Sequence, residues 1–399
     1  MELVRGGRVA TIDGLRGIAI LAVVWYHVWQ ISWQSAVIPL VNVSLQPIAE
    51  TGFLGVDLFF FISGFVLMLP YAHAHLTGAP QPSLRHFFSR RFLKIVPSYI
   101  LVIVVMIAAG AQTYAHWSDA VRDVGFHLLF IHNWFAVTNG SIDSVMWSLG
   151  AEVQFYVLFP LLVLAFVRRP LLCAVALFAV GNGWRIWAML SNHYFYAQRL
   201  EQLPAYVDFF AAGMLCAFAY VAIATRRPQL AERRWAFTAL SVAGFVALWL
   251  LVANCYDHRG DTPWPETWKI EWRSVLALVY LAIALGSLFA VRGYQRVLAN
   301  PALLFLAAIS YNLYLWHQPL ARMLVKLRFP PYWTEDPHFD PQWMFAFAFV
   351  ALPVALGIAA LITYGFEQPI LRLGRRRRIS RPTAVPIAPE TVAEHIVNA

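Results

Sequence analysis

Ten stretches of about 20 mostly apolar residues, the length that carries an α-helix across a lipid bilayer, constrain this chain more than anything else in it. They fall at 12–32, 52–71, 96–114, 148–167, 170–190, 204–224, 236–255, 273–291, 300–321 and 343–365. The composition agrees: 60% of the 399 residues are hydrophobic, only 13% are charged, and the mean hydropathy is +0.60. A soluble domain is about 25% charged. The profile argues against a soluble domain, a disordered chain and a nucleic-acid binder, although a net charge of +9 would alone hint at the last. The expected fold is an all-α integral membrane protein, a bundle of about ten transmembrane helices over residues 1–374. A shorter apolar piece, Phe126 to Phe135, contains His127, His132 and Asn133. It is too short to span and predicts one re-entrant or interfacial helix.

Basic residues orient the bundle, because cytoplasmic segments of membrane proteins are rich in Lys and Arg. With the N-terminus inside and ten alternating spans, 20 of the 30 Lys and Arg fall on the cytoplasmic side. Both termini are therefore expected in the cytoplasm. The first span carries Asp13, Arg16 and His27 and no small-residue cleavage site follows it, so it reads as a retained helix rather than a signal peptide. Residues 375–399 open with Arg375 to Arg378 and continue through Pro382, Pro386 and Pro389. They read as a basic, disordered cytoplasmic tail able to lie on anionic lipid. Three scattered cysteines make neither a disulfide framework nor a zinc site.

Ionisable residues inside spans are costly and mark function by default. Arg16 and His27 are 11 residues apart, three helical turns plus about 20°, so they share one face about 16 Å apart along the axis. Asp13 lies one turn before Arg16 and can pair with it. A snorkelling ion pair and a core histidine would be the bland reading; two such groups on one face favour function. Asp57, near the outer end of the second span, is placed to orient His27, or equally to begin a helix. The segment from His73 to Lys94 reads as a cytoplasmic loop with Arg85, Arg90, Arg91 and Lys94. Its cations suit phosphate, and suit equally the plain topology signal. Glu152 lies about a turn inside the fourth span and needs a partner or water. His317 ends the run Ser310-Tyr311-Asn312-Leu313-Tyr314-Leu315-Trp316-His317, whose aromatic content otherwise suits an interfacial belt. Glu367-Gln368-Pro369 reads as a cap or turn. No HExxH, Walker A, GxSxG with an ordered triad, or helix-opening GxGxxG occurs, so no metal or bound cofactor is expected.

Six elements in order are similar to those of acyltransferase family 3, the multi-span membrane O-acyltransferases. They are the Arg-x10-His of Arg16 and His27, GVDLFFFISGF, FFSRRFLKIVPSY, WSLGAEVQFY, ISYNLYLWHQP and FEQP, and the resemblance covers about Ile12 to Leu373. It implies transfer of an acyl group, often acetyl, from cytoplasmic acyl-CoA to a hydroxyl of a glycan, a lipid-linked sugar or a small molecule. It implies essential roles for Arg16 and His27, and a CoA-linked role for Arg90 and Arg91. At Lys94 an arginine is usual in the family, and lysine cannot fork onto two phosphate oxygens. Some relatives carry an added hydrolase-like domain; the 26 residues after Leu373 lead us to expect none here.

The expected chemistry is general-base activation of a sugar hydroxyl by His27, with Asp57 or Glu152 as orienting carboxylate and Arg16 near developing negative charge. A covalent acyl-histidine route is open. Expected partners are acyl-CoA, a carbohydrate or lipid-linked hydroxyl acceptor and the lipid of a bacterial inner membrane. The rival reading is a transporter or permease for a glycan or lipid intermediate, since intramembrane Asp, Glu and His also serve proton relays.

Overall fold

The computed structural model describes residues 9–33, 37–38, 43–110, 112–191, 196–260, 266–334, 336–337 and 340–379. Each of the ten apolar stretches is a helix. They are α1 (Ala10–Ser32), α2 (Leu54–Thr77), α3 (Leu84–Ala108), α5 (Trp147–Arg168), α6 (Pro170–Leu190), α7 (Val207–Arg226), α8 (Arg234–Asp257), α9 (Arg273–Phe289), α11 (Pro301–Lys326) and α12 (Pro341–Ile362). Between α3 and α5 lies α4 (Trp117–Leu128), and α10 (Arg292–Leu298) precedes α11 at a bend of 44°. A π-helical turn, Thr363–Glu367, joins α12 to α13 (Gln368–Ile379). Among the described residues, eight helices are long and apolar enough to cross a membrane, or nine if α10 and α11 form one bent span. Only α9, at 17 residues, is shorter than a span of the expected ten. A two-residue antiparallel ladder pairs Val37–Ile38 with Val43–Ser44.

Local chemistry sets several ends. Asn300 caps α11 by accepting from the Leu303 N–H, and Asp340 caps α12 by accepting from Gln342 and Trp343. Pro301 and Pro341 follow at the first helical position, where the missing N–H costs nothing. The segment expected as a basic loop, His73 to Lys94, is mostly helical instead. α2 continues to Thr77 and α3 begins at Leu84, so Arg85, Arg90, Arg91 and Lys94 sit on a helix that runs unbroken through Pro97. Charges lower hydropathy without breaking a helix, which is why apolarity alone placed the start at 96. The short helix expected at 126–135 starts earlier, as α4, and ends in a 3₁₀ turn over His132–Trp134. Of the tail expected at 375–399, the first five residues continue α13, and 380–399 lie outside the described residues.

Packing divides each helix into a protein face and a lipid face. On α5, Phe155, Phe159 and Phe166 are buried while Val157, Leu161 and Leu164 are exposed. That exposed apolar stripe suits hydrocarbon and not water. The most extensive helix contacts are α2 with α7 and α1 with α11. Both depend on small residues. A Cβ at Gly64 would lie 2.2 Å from the Phe210 carbonyl oxygen, and one at Gly213 only 1.9 Å from that of Phe61. Cβ atoms at Gly14 and Gly17 would likewise strike the carbonyls of Leu298 and Leu303. Close backbone approach through small residues is the usual means of packing helices in lipid.

Gly213→Ala is expected to lower the unfolding temperature in detergent sharply or prevent folding, because the obstacle is backbone that cannot rotate away. Gly183→Ala on α6, with nothing within 4 Å of the new atom, should change stability by no more than about 1 kcal/mol in the favourable direction. Thermal unfolding of the two purified variants checks the contrast.

Candidate active site

Polar side chains that face inward form a seam bounded by α1, α2, α3, α5, α11 and the π turn after α12. At the end where α1 begins, Arg16 meets Asp13 at 3.4 Å and has Arg91, Glu152 and Tyr156 among its electrostatic neighbours. The Arg91 guanidinium lies 5.0 Å from the centre of the Tyr156 ring, close enough for a cation–π contact. Glu152 accepts hydrogen bonds from Ser63 Oγ at 2.5 Å and from the Tyr156 hydroxyl. Further along, Lys94 is ion-paired with Glu367, which also accepts from Asn312 Nδ2 at 2.9 Å. Asn312 donates in addition to Thr363 Oγ1 at 2.9 Å. The π turn brings Thr363 and Glu367 together onto Asn312. The sequence reading of Glu367 as a cap is therefore corrected: it is a buried partner of Lys94 and Asn312.

At the other end of the seam stand two histidines. His317 Nε2 lies 3.0 Å from His27 Nδ1, with ring centres 4.9 Å apart. Two backbone carbonyls select the tautomers. His317 Nδ1 is 3.0 Å from the Leu313 carbonyl and His27 Nδ1 is 3.0 Å from the Val23 carbonyl. A carbonyl oxygen only accepts, so both Nδ1 atoms carry hydrogen. The His27 Nδ1–H is then shared between Val23 O and the His317 Nε2 lone pair. His27 Nε2 is left unprotonated, as a base requires. Around this pair, Tyr314 bonds Ser148 Oγ at 2.6 Å and the Val145 carbonyl at 3.0 Å, Ser144 bonds Gln318, and Arg322 reaches Ser144 Oγ at 3.5 Å. Tyr314, Gln318 and Arg322 recur every four residues along α11, on a face adjoining His317, a regularity visible in the sequence.

The two carboxylates expected to orient His27 are occupied elsewhere. Asp57 is held by Arg273, at 3.3 Å from Nε and 3.2 Å from Nη2, and Arg273 Nη2 is also 3.2 Å from the Tyr206 hydroxyl. Glu152 belongs to the Arg16 end of the seam. Asp57 is thus corrected from a histidine partner to half of a buried ion pair; a carboxylate in an apolar bundle takes the guanidinium that faces it. A second buried pair, Arg185 with Asp208 at 2.7 Å, is closed by Ser274, Asn182 and the Ala205 carbonyl. Arg90 is exposed on the outer face of α3, and its neighbour Arg91 points inward.

The sequence of this seam can be set against known proteins. Residues 9–364 match acyltransferase family 3, described as an acyltransferase domain. The chain belongs to this family. Among curated relatives, the peptidoglycan O-acetyltransferase OatA of Listeria monocytogenes is 23% identical over 371 residues, covering 87% of this chain and 56% of its own length. A putative O-acetyltransferase of Staphylococcus aureus is 24% identical over 401 residues, covering 94% of this chain and 59% of its own. The S. aureus O-acetyltransferase OatA is 26% identical, covering 77% and 50%. The chain therefore spans little more than half the length of these relatives. No solved structure matches it.

Beside the histidine pair, a cap formed by α4 and the residues up to α5 closes over the bundle. His127 and His132 are fully buried and stacked at 4.0 Å. Asn133 donates to the Glu201 carbonyl and accepts from Gln154 of α5, which pins the cap to the bundle. The cap also buries Asp143, next to Ser144. Burial pushes the Asp143 carboxyl up to about 7, against the pull of the Val145 and Ser144 backbone amides and of Arg322. Burial also pushes His132 down to about 3, helped by His127.

A carboxyl whose folded pKa is raised stabilises the fold when protonated. That contribution is complete below the unfolded value near 4 and is lost as pH rises through about 7. Asp143→Asn removes this loss. The unfolding temperature of the variant relative to wild type should therefore climb between pH 5 and pH 8, by an amount corresponding to a few kcal/mol. A difference flat with pH would show that Asp143 is already ionised in the fold.

Proposed function

We propose that this protein is a membrane O-acyltransferase that moves an acyl group, acetyl above all, from acyl-CoA to a hydroxyl of a glycan or lipid-linked sugar, with His27 as general base. The observation that carries the reading is the His27–His317 pair, whose backbone contacts leave His27 Nε2 free of hydrogen. A sugar hydroxyl becomes a competent nucleophile when a base takes its proton. As His27 takes that proton, its Nδ1–H tightens onto His317 Nε2. A neutral imidazole then steadies the new cation, where a serine hydrolase uses a carboxylate. The alkoxide attacks the thioester carbonyl, the C–S bond breaks, and the thiolate of CoA leaves and takes up a proton. Family membership supports the acyl-transfer chemistry, and the names of the relatives support acetyl as the group and a cell-wall sugar as the class of acceptor.

The positive-inside rule supports a cytoplasmic position for the end bearing Arg16, with both termini inside a bacterial plasma membrane. The donor then enters from the Arg16 end and the histidine pair faces the acceptor from the opposite side. A buried seam of this kind keeps water from the thioester.

Purified protein with acetyl-CoA and an acceptor extract, monitored by release of the CoA thiol, tests the reading. His27→Ala should lose about 10²- to 10⁴-fold in rate, the usual worth of a general base. His317→Gln keeps an oxygen that can accept from His27 Nδ1–H, so it should retain more activity than His317→Ala, with KM for acetyl-CoA unchanged in both. Full turnover by folded His27→Ala, or equal losses in the two His317 variants, would overturn the assignment.

A further inference from the structure

The end of α11 that carries His317 faces the side on which the positive-inside rule expects few cations. Three follow it all the same: Arg322, Lys326 and Arg328. All three are exposed. Among the described residues, none of them shares a salt bridge with a carboxylate. Lys326 and Arg328 have an ordinary explanation. They stand at the end of the helix, where a cation offsets the partial negative charge of the last carbonyls, and Arg328 lies 5.1 Å from the centre of the Tyr332 ring. Arg322 lies a turn earlier and reaches toward the site. Its Nη2 is 3.5 Å from Ser144 Oγ, and Ser144 is hydrogen-bonded to Gln318, the neighbour of His317.

His27 and Asp143 are both electrostatic neighbours of Arg322. Asp143 is the carboxyl that could neutralise it, but burial lets that group hold its charge only above about pH 7. Asp143 Oδ2 is moreover buried without a hydrogen-bond partner. At neutral pH it gives the guanidinium at most a partial counter-charge. Arginine carries five N–H donors; among the described residues, Arg322 directs one of them at a side chain, Ser144, and that at 3.5 Å. A snorkelling arginine would stretch its head away from the helix bundle, whereas this one is turned toward the start of α5. Nor is it placed to meet the thioester. Leu303 of α11 packs on Gly17 beside Arg16, and His317 meets His27 further along. Five residues beyond His317 adds about 7.5 Å along the axis, away from the Arg16 end. An anion held there lies on the acceptor side of the reacting atoms.

We propose that Arg322 recognises the acceptor: it binds an anionic oxygen group, a carboxylate on the sugar or a phosphate that links the sugar to lipid, while a hydroxyl of the same molecule lies at His27 Nε2. The preferred acceptor is then an acidic sugar and not a neutral one. The inference rests on the acyl-transfer reading above. Arginine forks onto two oxygens of either group. The histidine pair, uncharged before reaction, supplies no such attraction. Arg322 thus sets the register, because the anion it holds fixes which hydroxyl comes within reach of the base. An exposed guanidinium without a full counter-charge also draws an anionic acceptor in from the aqueous side.

The test uses the purified full chain in phosphatidylcholine nanodiscs, with saturating acetyl-CoA and a cell-envelope glycan extract separated by anion exchange into acidic and neutral fractions. Release of the CoA thiol measures turnover. Wild type should turn over the acidic fraction at least tenfold faster than the neutral one. Arg322→Gln should raise KM for the acidic fraction tenfold or more and leave KM for acetyl-CoA unchanged. Arg322→Lys, which keeps the charge without the fork, should recover part of that loss, and Lys326→Gln should stay within twofold of wild type. Methyl esterification of carboxylates and mild-acid cleavage of sugar–phosphate links, applied separately, identify the anion: the treatment that removes it should abolish the difference between wild type and Arg322→Gln. Wild-type turnover no faster on the acidic fraction, or an Arg322→Gln variant impaired equally on both fractions or on neither, would overturn the inference and leave the acyl-transfer reading standing. A defect seen only when phosphatidylglycerol is added to the nanodiscs would overturn it too, since Arg322 would then hold a lipid headgroup. A folded wild type that releases no CoA thiol with either fraction would overturn both readings.

Discussion

A charge placed among apolar helices must be answered where it stands, and this requirement organises the bundle. Arg273 answers Asp57, Arg185 answers Asp208, and Lys94 answers Glu367. Two of the pairs join elements distant in sequence, α2 to α9 and α3 to the π turn after α12, and the third joins the successive helices α6 and α7. Removing one partner would strand the other in low dielectric, a penalty of roughly 3–5 kcal/mol. These pairs therefore act less as adhesive than as register marks. They specify which helix faces which in a bundle whose apolar surfaces are otherwise interchangeable, and lipid offers no hydrophobic force to sort them.

Within that frame the two histidines are held by the most ordinary groups available, the carbonyls one turn below them. Helical residues four apart meet along one face, so Val23 with His27 and Leu313 with His317 follow from helix geometry alone. What tertiary structure adds is the juxtaposition of α1 and α11, made possible by Gly17 against Leu303 and, at the end of α10, by Gly14 against Leu298. The site is thus a by-product of how closely two backbones approach. Its orientation needs no carboxylate, and the nearest candidates are engaged elsewhere.

The spans were legible because hydrocarbon demands about 20 apolar residues and the chain supplies them in ten places. The positions of Arg16 and His27 on one face were legible from helical period. Partner choice was not. Asp57 could be read as facing His27 because both lie near the same end of adjacent helices; its true partner, Arg273, is 216 residues away. Glu367 resembled a cap because Pro369 follows it, and only the π turn turns it inward. Arg85 to Lys94 resembled a loop because hydropathy sees charge and not helicity. Long-range pairing and cavities are properties of the fold, and no local window contains them.

The shared hydrogen on His27 Nδ1 has a consequence for what can enter. In the tautomers that the carbonyls select, the pair carries no formal charge before reaction. A neutral molecule can approach it without first stripping the tightly held hydration shell or counter-ion that an ionised dyad would keep. Charge arises only as the proton moves, when the partner imidazole is already 3.0 Å away. The histidine pair is in this sense quiet until a proton reaches it.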